Sequence, residues 1–180
     1  MTEAIRGARV AFDHVGLSVP DLEEAIAFFV EAFDCELVFT AGPYENTGWV
    51  WPGETDPEPL TLRLAVLRQG DTTNIELLEY KDRTREEPNR APRPADPGGN
   101  HVAFFVDDIH GFEQRLRARG DVHFMNATEI EDGGPIGGAE WCYFLTSWGQ
   151  TIELIRWDPG LPYEQTTSRR MVAPPWLRTA

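Results

Sequence analysis

At 180 residues the chain suits one compact domain, or two very small ones, with room for a sizeable core, and its formal charge of −14 repels phosphate backbones and anionic lipid surfaces. Nucleic acid and membranes are therefore excluded as expected partners. Cys35 and Cys142 are too few for a disulfide framework, residues 1–12 lack the apolar core of a secretory signal, and no apolar run is long enough to span a bilayer; a soluble, cytoplasmic protein with two reduced, buried thiols is expected.

In chain order, residues 10–19 predict a strand that Pro20 stops. Asp21, with Glu24 three residues on, makes a capping-box-like start to a helix of about a dozen residues. Leu22, Ile26, Phe29 and Phe33, with Ala25 beside them, fall at helical spacing and predict its buried stripe. A strand near residues 36–40 follows. Residues 41–59 are rich in Gly, Pro, Asn and acids; a connection of that length is either floppy or a pocket lid, and Tyr44, Trp49 and Trp51 favour the lid. Residues 60–67 and 74–80 flank the turn-rich Gln69-Gly70-Asp71-Thr72 and read as a hairpin. One unit is thus strand, helix and three strands.

Residues 81–98 are polar, carry Pro88, Pro92, Pro94 and Pro97, and read as a linker. The pattern then restarts: a strand at residues 101–106, Asp108 as helix cap, a helix to about Arg119, and Gly120 as its stop. A strand near residues 123–125 leads into residues 129–139, whose Gly133-Gly134-Pro135-Ile136-Gly137-Gly138 is read as a flexible loop. It lacks the Lys and the helix of a phosphate cradle. Residues 141–146 and 151–157 form a second hairpin across Ser147-Trp148-Gly149-Gln150. From Asp158 the chain is proline-rich; Met171, Val172, Trp176 and Leu177 either dock on the body or a partner, or the end frays. The organisation is a first module at residues 1–80, the linker, a second module at residues 99–157 and a tail at residues 158–180.

The restart is a duplication. Residues 12–21, FDHVGLSVPD, align with residues 99–108, GNHVAFFVDD, placing His101 over His14 and Asp108 over Asp21; residues 74–78, NIELL, align with residues 151–155, TIELI, placing Glu153 over Glu76. Each glutamate sits mid-strand among large apolar residues, where an unpaired carboxylate is expensive to bury. A lone strand histidine is more often a core residue, and a lone strand glutamate usually faces solvent, which is how Glu79 is read. Four such residues at equivalent places in two copies of one unit are harder to explain away. If the copies pack about a local two-fold axis, His14, Glu76, His101 and Glu153 converge on one point. Two imidazoles and two carboxylates there form a divalent metal site with room for two water or substrate oxygens. His110 and His123 lack repeat partners and are expected on the surface, and Ser18 and Ser147 have no nucleophile-elbow context.

These residues resemble the vicinal oxygen chelate (VOC) superfamily, which includes glyoxalase I, methylmalonyl-CoA epimerase, extradiol dioxygenases and fosfomycin- and bleomycin-resistance proteins. FDHVGLSVPDLEEAIAFF is similar to the family's opening strand and helix, NIELLEY to its first glutamate-bearing strand, GNHVAFFVDDI to the second opening, and WGQTIELIRW to the closing strand. The resemblance implies an α+β fold of two paired βαβββ modules in a cupped mixed sheet, with His14, Glu76, His101 and Glu153 as ligands of a divalent ion (nickel, cobalt, manganese, zinc or iron(II)), and it implies a homodimer. Oxygen-activating relatives resemble a site with two His, one carboxylate and three open positions; a fourth ligand argues against that chemistry. Four ligands with two open positions resemble the glyoxalase and epimerase branches, in which a substrate with adjacent oxygens chelates the metal and an enolate is stabilised. Glu76 and Glu153 are then the catalytic pair, one removing the proton beside a carbonyl and the other returning it. A metal-dependent epimerase or isomerase of a small carbonyl compound is expected. The alternatives are a glyoxalase-type lyase and a small-molecule-binding or resistance protein. Apart from Arg83, Arg85, Arg90 and Arg93 little meets the charges of a CoA or glutathione substrate, so an uncharged polyoxygenated ketone, sugar- or cyclitol-like, is at least as plausible.

Overall fold

Alternating burial along one central strand positions the first sheet. The computed structural model describes residues 11–45, 47, 48, 50, 55–71, 73–81 and 92–178. Within it the chain divides into two compact units, Met1–Glu86 and Glu87–Ala180. The first contains β1 (His14–Ser18), α1 (Leu22–Phe33), β2 (Glu36–Tyr44), β3 (Thr61–Gln69) and β4 (Thr73–Lys81). The sheet order is β1-β4-β3-β2, with β1 parallel to β4 and the other pairs antiparallel. On β4, Ile75, Leu77 and Glu79 are buried while Asn74, Glu76, Leu78 and Tyr80 are only half-buried, the period of two that separates the faces of a sheet.

Helix α1 lies on the buried face. Asp21 Oδ1 accepts the Glu24 N–H at 2.8 Å, capping the first turn, and Asp34 ends the helix in the left-handed region at φ 53°. Its buried residues are Leu22, Ala25, Phe28, Phe29 and Phe33, with Ile26 half-buried. Phe28 joins the stripe because three rings pack together there, Phe28 edge-on to Phe29 at 5.4 Å and to Phe33 at 5.9 Å. Strand β2 runs on to Tyr44, pairing Ala41 with Leu64 and Tyr44 with Leu62, so the first part of the expected lid is sheet edge. Trp49 and Trp51 lie outside the described residues.

The second unit repeats the plan. It contains β5 (Val102–Phe105), α2 (Ile109–Arg119), β6 (His123–Phe124), β7 (Glu129–Ile130), β8 (Glu140–Leu145) and β9 (Thr151–Arg156). Its order, β5-β9-β8-β6, with β5 parallel to β9, matches the first sheet, and the short β7 is added on β8. Both units are mixed sheets with one helix, an α+β architecture. The glycine-rich stretch is a built loop: Glu131 N–H donates to Ala139 O at 2.8 Å, Gly138 N–H to Glu131 O at 2.8 Å, and Gly134–Ile136 form a 3-10 turn between them. Cys35 and Cys142 are buried and unpaired, and burial pushes the Cys35 thiol up to about 11.

The expectation that Glu79 faces solvent is wrong. It is 2% exposed, accepts the Leu22 N–H at 3.2 Å, and pairs with Arg63 at 3.3 Å and Lys81 at 2.9 Å. The parity of β4 explains it: Glu79 shares the helix-facing side with Ile75 and Leu77, so cations must meet it there. Arg63 reaches on to Glu23 in the first turn of α1. The second unit carries the same network with every sign reversed. Glu23, Arg63, Glu79 and Lys81 are matched by His110, Glu140, Arg156 and Asp158, with Glu140 bound to Arg156 at 2.7 Å and to His110 at 3.0 Å, and Arg156 to Asp158 at 3.1 Å. His110 is thus exposed, as expected of a surface residue, yet ion-paired whenever it is protonated. Glu79→Ala is expected to lower stability by about 1–3 kcal/mol, since it strips a buried acceptor from its partners, whereas Asp158→Ala, whose side chain is 72% exposed, is expected to stay within about 0.5 kcal/mol. Urea unfolding of the two variants checks this.

Buried Glu113 on α2 fixes the approach to β8. It accepts from the Thr128 hydroxyl at 2.6 Å, the Thr128 N–H at 3.2 Å and Arg117 Nε at 2.8 Å. Burial is the largest single influence and opposes ionisation, but Thr128 and Arg117 together outweigh it and hold the carboxyl below its ordinary 4.5. A depressed folded-state value stabilises the fold above the unfolded value and loses that contribution as pH falls through the folded one. Thermal unfolding should therefore separate the native chain from Glu113→Gln most at neutral pH, and the gap should close as the carboxylate protonates on acidification.

Candidate metal centre

Strand register places the four sequence-selected residues. In the first unit Gly16 lies opposite Glu76 across the parallel β1–β4 pair, with His14 two residues before it; in the second, Ala103 lies opposite Glu153 across β5–β9, with His101 two residues before that. The duplication is thus geometric as well as sequential. Each histidine meets its own glutamate: His14 Nε2 is 3.3 Å from Glu76 Oε2, and His101 Nε2 is 3.0 Å from Glu153 Oε2. Two donors each about 2.1 Å from one cation and at right angles to it stand about 3 Å apart, so each pair by itself fits two neighbouring positions of a coordination shell. Nitrogen with carboxylate oxygen is a donor set for a divalent transition ion.

The surroundings of the pairs differ. His14 Nδ1–H donates to Asp13 Oδ1 at 2.7 Å, which leaves the Nε2 lone pair directed away from Asp13, and this hydrogen bond, aided by the charges of Glu76 and Asp13, raises the imidazole above its ordinary value. His101 instead packs edge-to-face on Tyr143, ring centres 5.5 Å apart. Tyr143 is a functional candidate that sequence reasoning missed. It lies directly opposite Glu153 on β8, its hydroxyl hydrogen-bonds the Glu153 carboxylate, and burial, followed by that negative charge and bond, pushes the phenol up to about 12. The Tyr143 N–H donates to Asn126 Oδ1 at 2.7 Å, tying the strand to the segment that Glu113 holds.

The face of the second sheet that bears Glu153 also bears Phe105 and Ile155, and the tail packs there. Trp157, Leu161, Tyr163, Ala173 and Leu177 join them in one cluster, with Phe105 5.5 Å from Trp157 and 6.2 Å from Trp176. Of the four tail residues, Leu177 packs in this cluster, while Met171, Val172 and Trp176 stay exposed, Trp176 beside the Phe105 ring. Among the described residues Asp21, Glu23 and Glu79 also gather, with Arg63 paired to Glu23 and Glu79 and Lys81 to Glu79. Of the linker arginines, Arg83, Arg85 and Arg90 lie outside the described residues, and Arg93 is placed in a turn, its N–H donating to Asp96. No helix of the described residues is long and apolar enough to cross a membrane.

A doubled βαβββ plan, with a His–Glu pair at one register position in each copy, defines an α+β protein of the two-module, chelating kind. The model of the Glyoxalase/Bleomycin resistance protein/Dioxygenase superfamily matches residues 13–143, and the chain belongs to that superfamily. It is 38% identical over 165 residues to a 2-epi-5-epi-valiolone epimerase from Actinomyces sp, covering 92% of this chain and 89% of that one. Two solved structures share the fold: a glyoxalase family protein from Bacillus cereus, with TM-score 0.63, 22% identity and coverage of 86% and 98%, and the fosfomycin resistance protein FosX from Listeria monocytogenes in complex with Mn(II) and sulfate, with TM-score 0.53, 16% identity and coverage of 89% and 100%.

Proposed function

We propose that the protein is a metal-dependent epimerase of a small polyhydroxylated ketone, 2-epi-5-epi-valiolone or a close analogue. The observation that carries the reading is the 38% identity, over nearly the whole chain, to an epimerase of that name. The two His–Glu pairs support it by supplying four donors of the chemistry the reaction needs, with His14, Glu76, His101 and Glu153 as ligands of one divalent cation. Such a cation, when bound, supplies Lewis-acid polarisation of the ketone oxygen, which acidifies the neighbouring C–H. Glu76 and Glu153 occupy equivalent places in the two copies. One takes the proton from the carbon beside the carbonyl, and the other delivers a proton to its opposite face, inverting that centre. Asp13, at Nδ1, orients the His14 ring with its Nε2 toward Glu76. With a net charge of −14 the chain favours an uncharged substrate over a phosphorylated or CoA-linked one. The experiment is conversion of 2-epi-5-epi-valiolone by the metal-loaded protein without added thiol, followed by NMR. Appearance of the epimer is expected, and an absolute requirement for glutathione would overturn the reading.

A further inference from the structure

The two His–Glu pairs are not equivalent, and the difference lies in one side chain. Opposite Glu153 stands Tyr143; opposite Glu76, at the matching register position, stands Val66. Tyr143 touches both donors of its unit, with its hydroxyl hydrogen-bonded to the Glu153 carboxylate and its ring against the His101 imidazole at 5.5 Å. Val66 offers Glu76 no such bond, and Gly16 stands on the other side of Glu76 where the second unit has Ala103. The Glu76 side chain is accordingly 24% exposed against 12% for Glu153. Tyr143 is itself held, through its N–H on Asn126 and through the Thr128–Glu113 bonds that fix that segment.

We propose that Tyr143 is a positioning residue for the second His–Glu pair, holding the Glu153 carboxylate where it meets a cation beside His101 Nε2. A carboxylate already restrained by a hydrogen bond loses less side-chain freedom when it meets a cation, and outer partners of this kind change metal affinity by roughly 10–100-fold. The inference rests on the epimerase reading given above, and the test separates the two.

The apparent Kd of Mn(II) is measured by competition with a chelating indicator for the native chain, Tyr143→Phe, Val66→Ala, Glu153→Gln and the Tyr143→Phe/Glu153→Gln double variant, with circular dichroism establishing that each is folded. Tyr143→Phe is expected to weaken binding roughly tenfold or more, and Val66→Ala to change it less than about twofold, Val66 having no outer-partner bond to lose. In the Glu153→Gln background, adding Tyr143→Phe should cost little more, because the bond it removes serves that carboxylate. Binding by Tyr143→Phe within twofold of native, or full additivity in the double variant, would overturn the role of Tyr143 alone. A folded native chain that takes up no Mn(II), cobalt(II), nickel(II) or zinc would overturn the metal-dependent reading itself.

Discussion

Glu76→Gln is expected to lower turnover roughly 10²–10⁴-fold, the usual worth of a positioned acid–base group, while bound cation falls by no more than about tenfold. The amide keeps an oxygen where Glu76 Oε2 lies, 3.3 Å from His14 Nε2, so a neutral ligand remains available. What the amide cannot do is accept a proton from carbon. Glutamine changes neither the volume nor the parity of β4, and Ile75 and Leu77 keep their burial against α1. The measurement is paired: metal content by elemental analysis and the rate of substrate turnover on one preparation. A variant retaining native turnover would remove Glu76 from the chemistry.

The second large effect is that of His101→Ala. Its Nε2 is 3.0 Å from Glu153 Oε2, and its ring is one of the two surfaces on which Tyr143 is seated. Removing it deletes one donor and loosens the brace on another. Cation affinity should fall by more than the roughly 100-fold upper range for losing an outer partner, and turnover should fall with it. His101 is 40% exposed at the side chain and stands just before β5, so thermal stability of the metal-free chain should change by less than about 1 kcal/mol. Isothermal titration of both chains with Mn(II), beside their metal-free melting curves, checks the split. Undiminished metal uptake would place the cation elsewhere.

The residues most legible in the sequence were those the duplication repeats. His14 and His101, Glu76 and Glu153 declared themselves by equivalence, and the register of each parallel strand pair follows the same alignment. Glu79 was also legible and was misread. Its even spacing from Ile75 and Leu77 assigns it to the helix side, which alternation alone decides. Tyr143 is a different case. A four-residue turn at Ser147-Trp148-Gly149-Gln150 would set Tyr143 opposite Leu154, whereas the connection has one residue more, with Leu145 paired to Thr151, and this brings Tyr143 opposite Glu153. A slip of one residue in a hairpin exchanges the faces of the strand, and nothing in the turn residues fixes that choice. Phe28 was missed for a gentler reason. A helix laid on a sheet buries a wider arc than the spacing of Leu22, Phe29 and Phe33 suggests, and ring-on-ring contact fills it. The sign-reversed ion networks follow from comparing the two copies position by position: Arg63 with Glu140 and Glu79 with Arg156 keep their cross-strand pairing while exchanging charge. Charges alternate along each network, so a single charge reversal in either should be more harmful than the concerted exchange that separates the two copies.

Epimerisation through an enolate requires that a proton leave the carbon beside the ketone and be replaced on the opposite face. Incubating the metal-loaded protein with 2-epi-5-epi-valiolone in D2O and following the carbon-bound hydrogens by NMR tests it most directly. Deuterium is expected at that one carbon in the epimer formed, and no exchange with Glu76→Gln. Epimer formed with its original hydrogen retained, or deuterium entering equally well with Glu76→Gln, would contradict it.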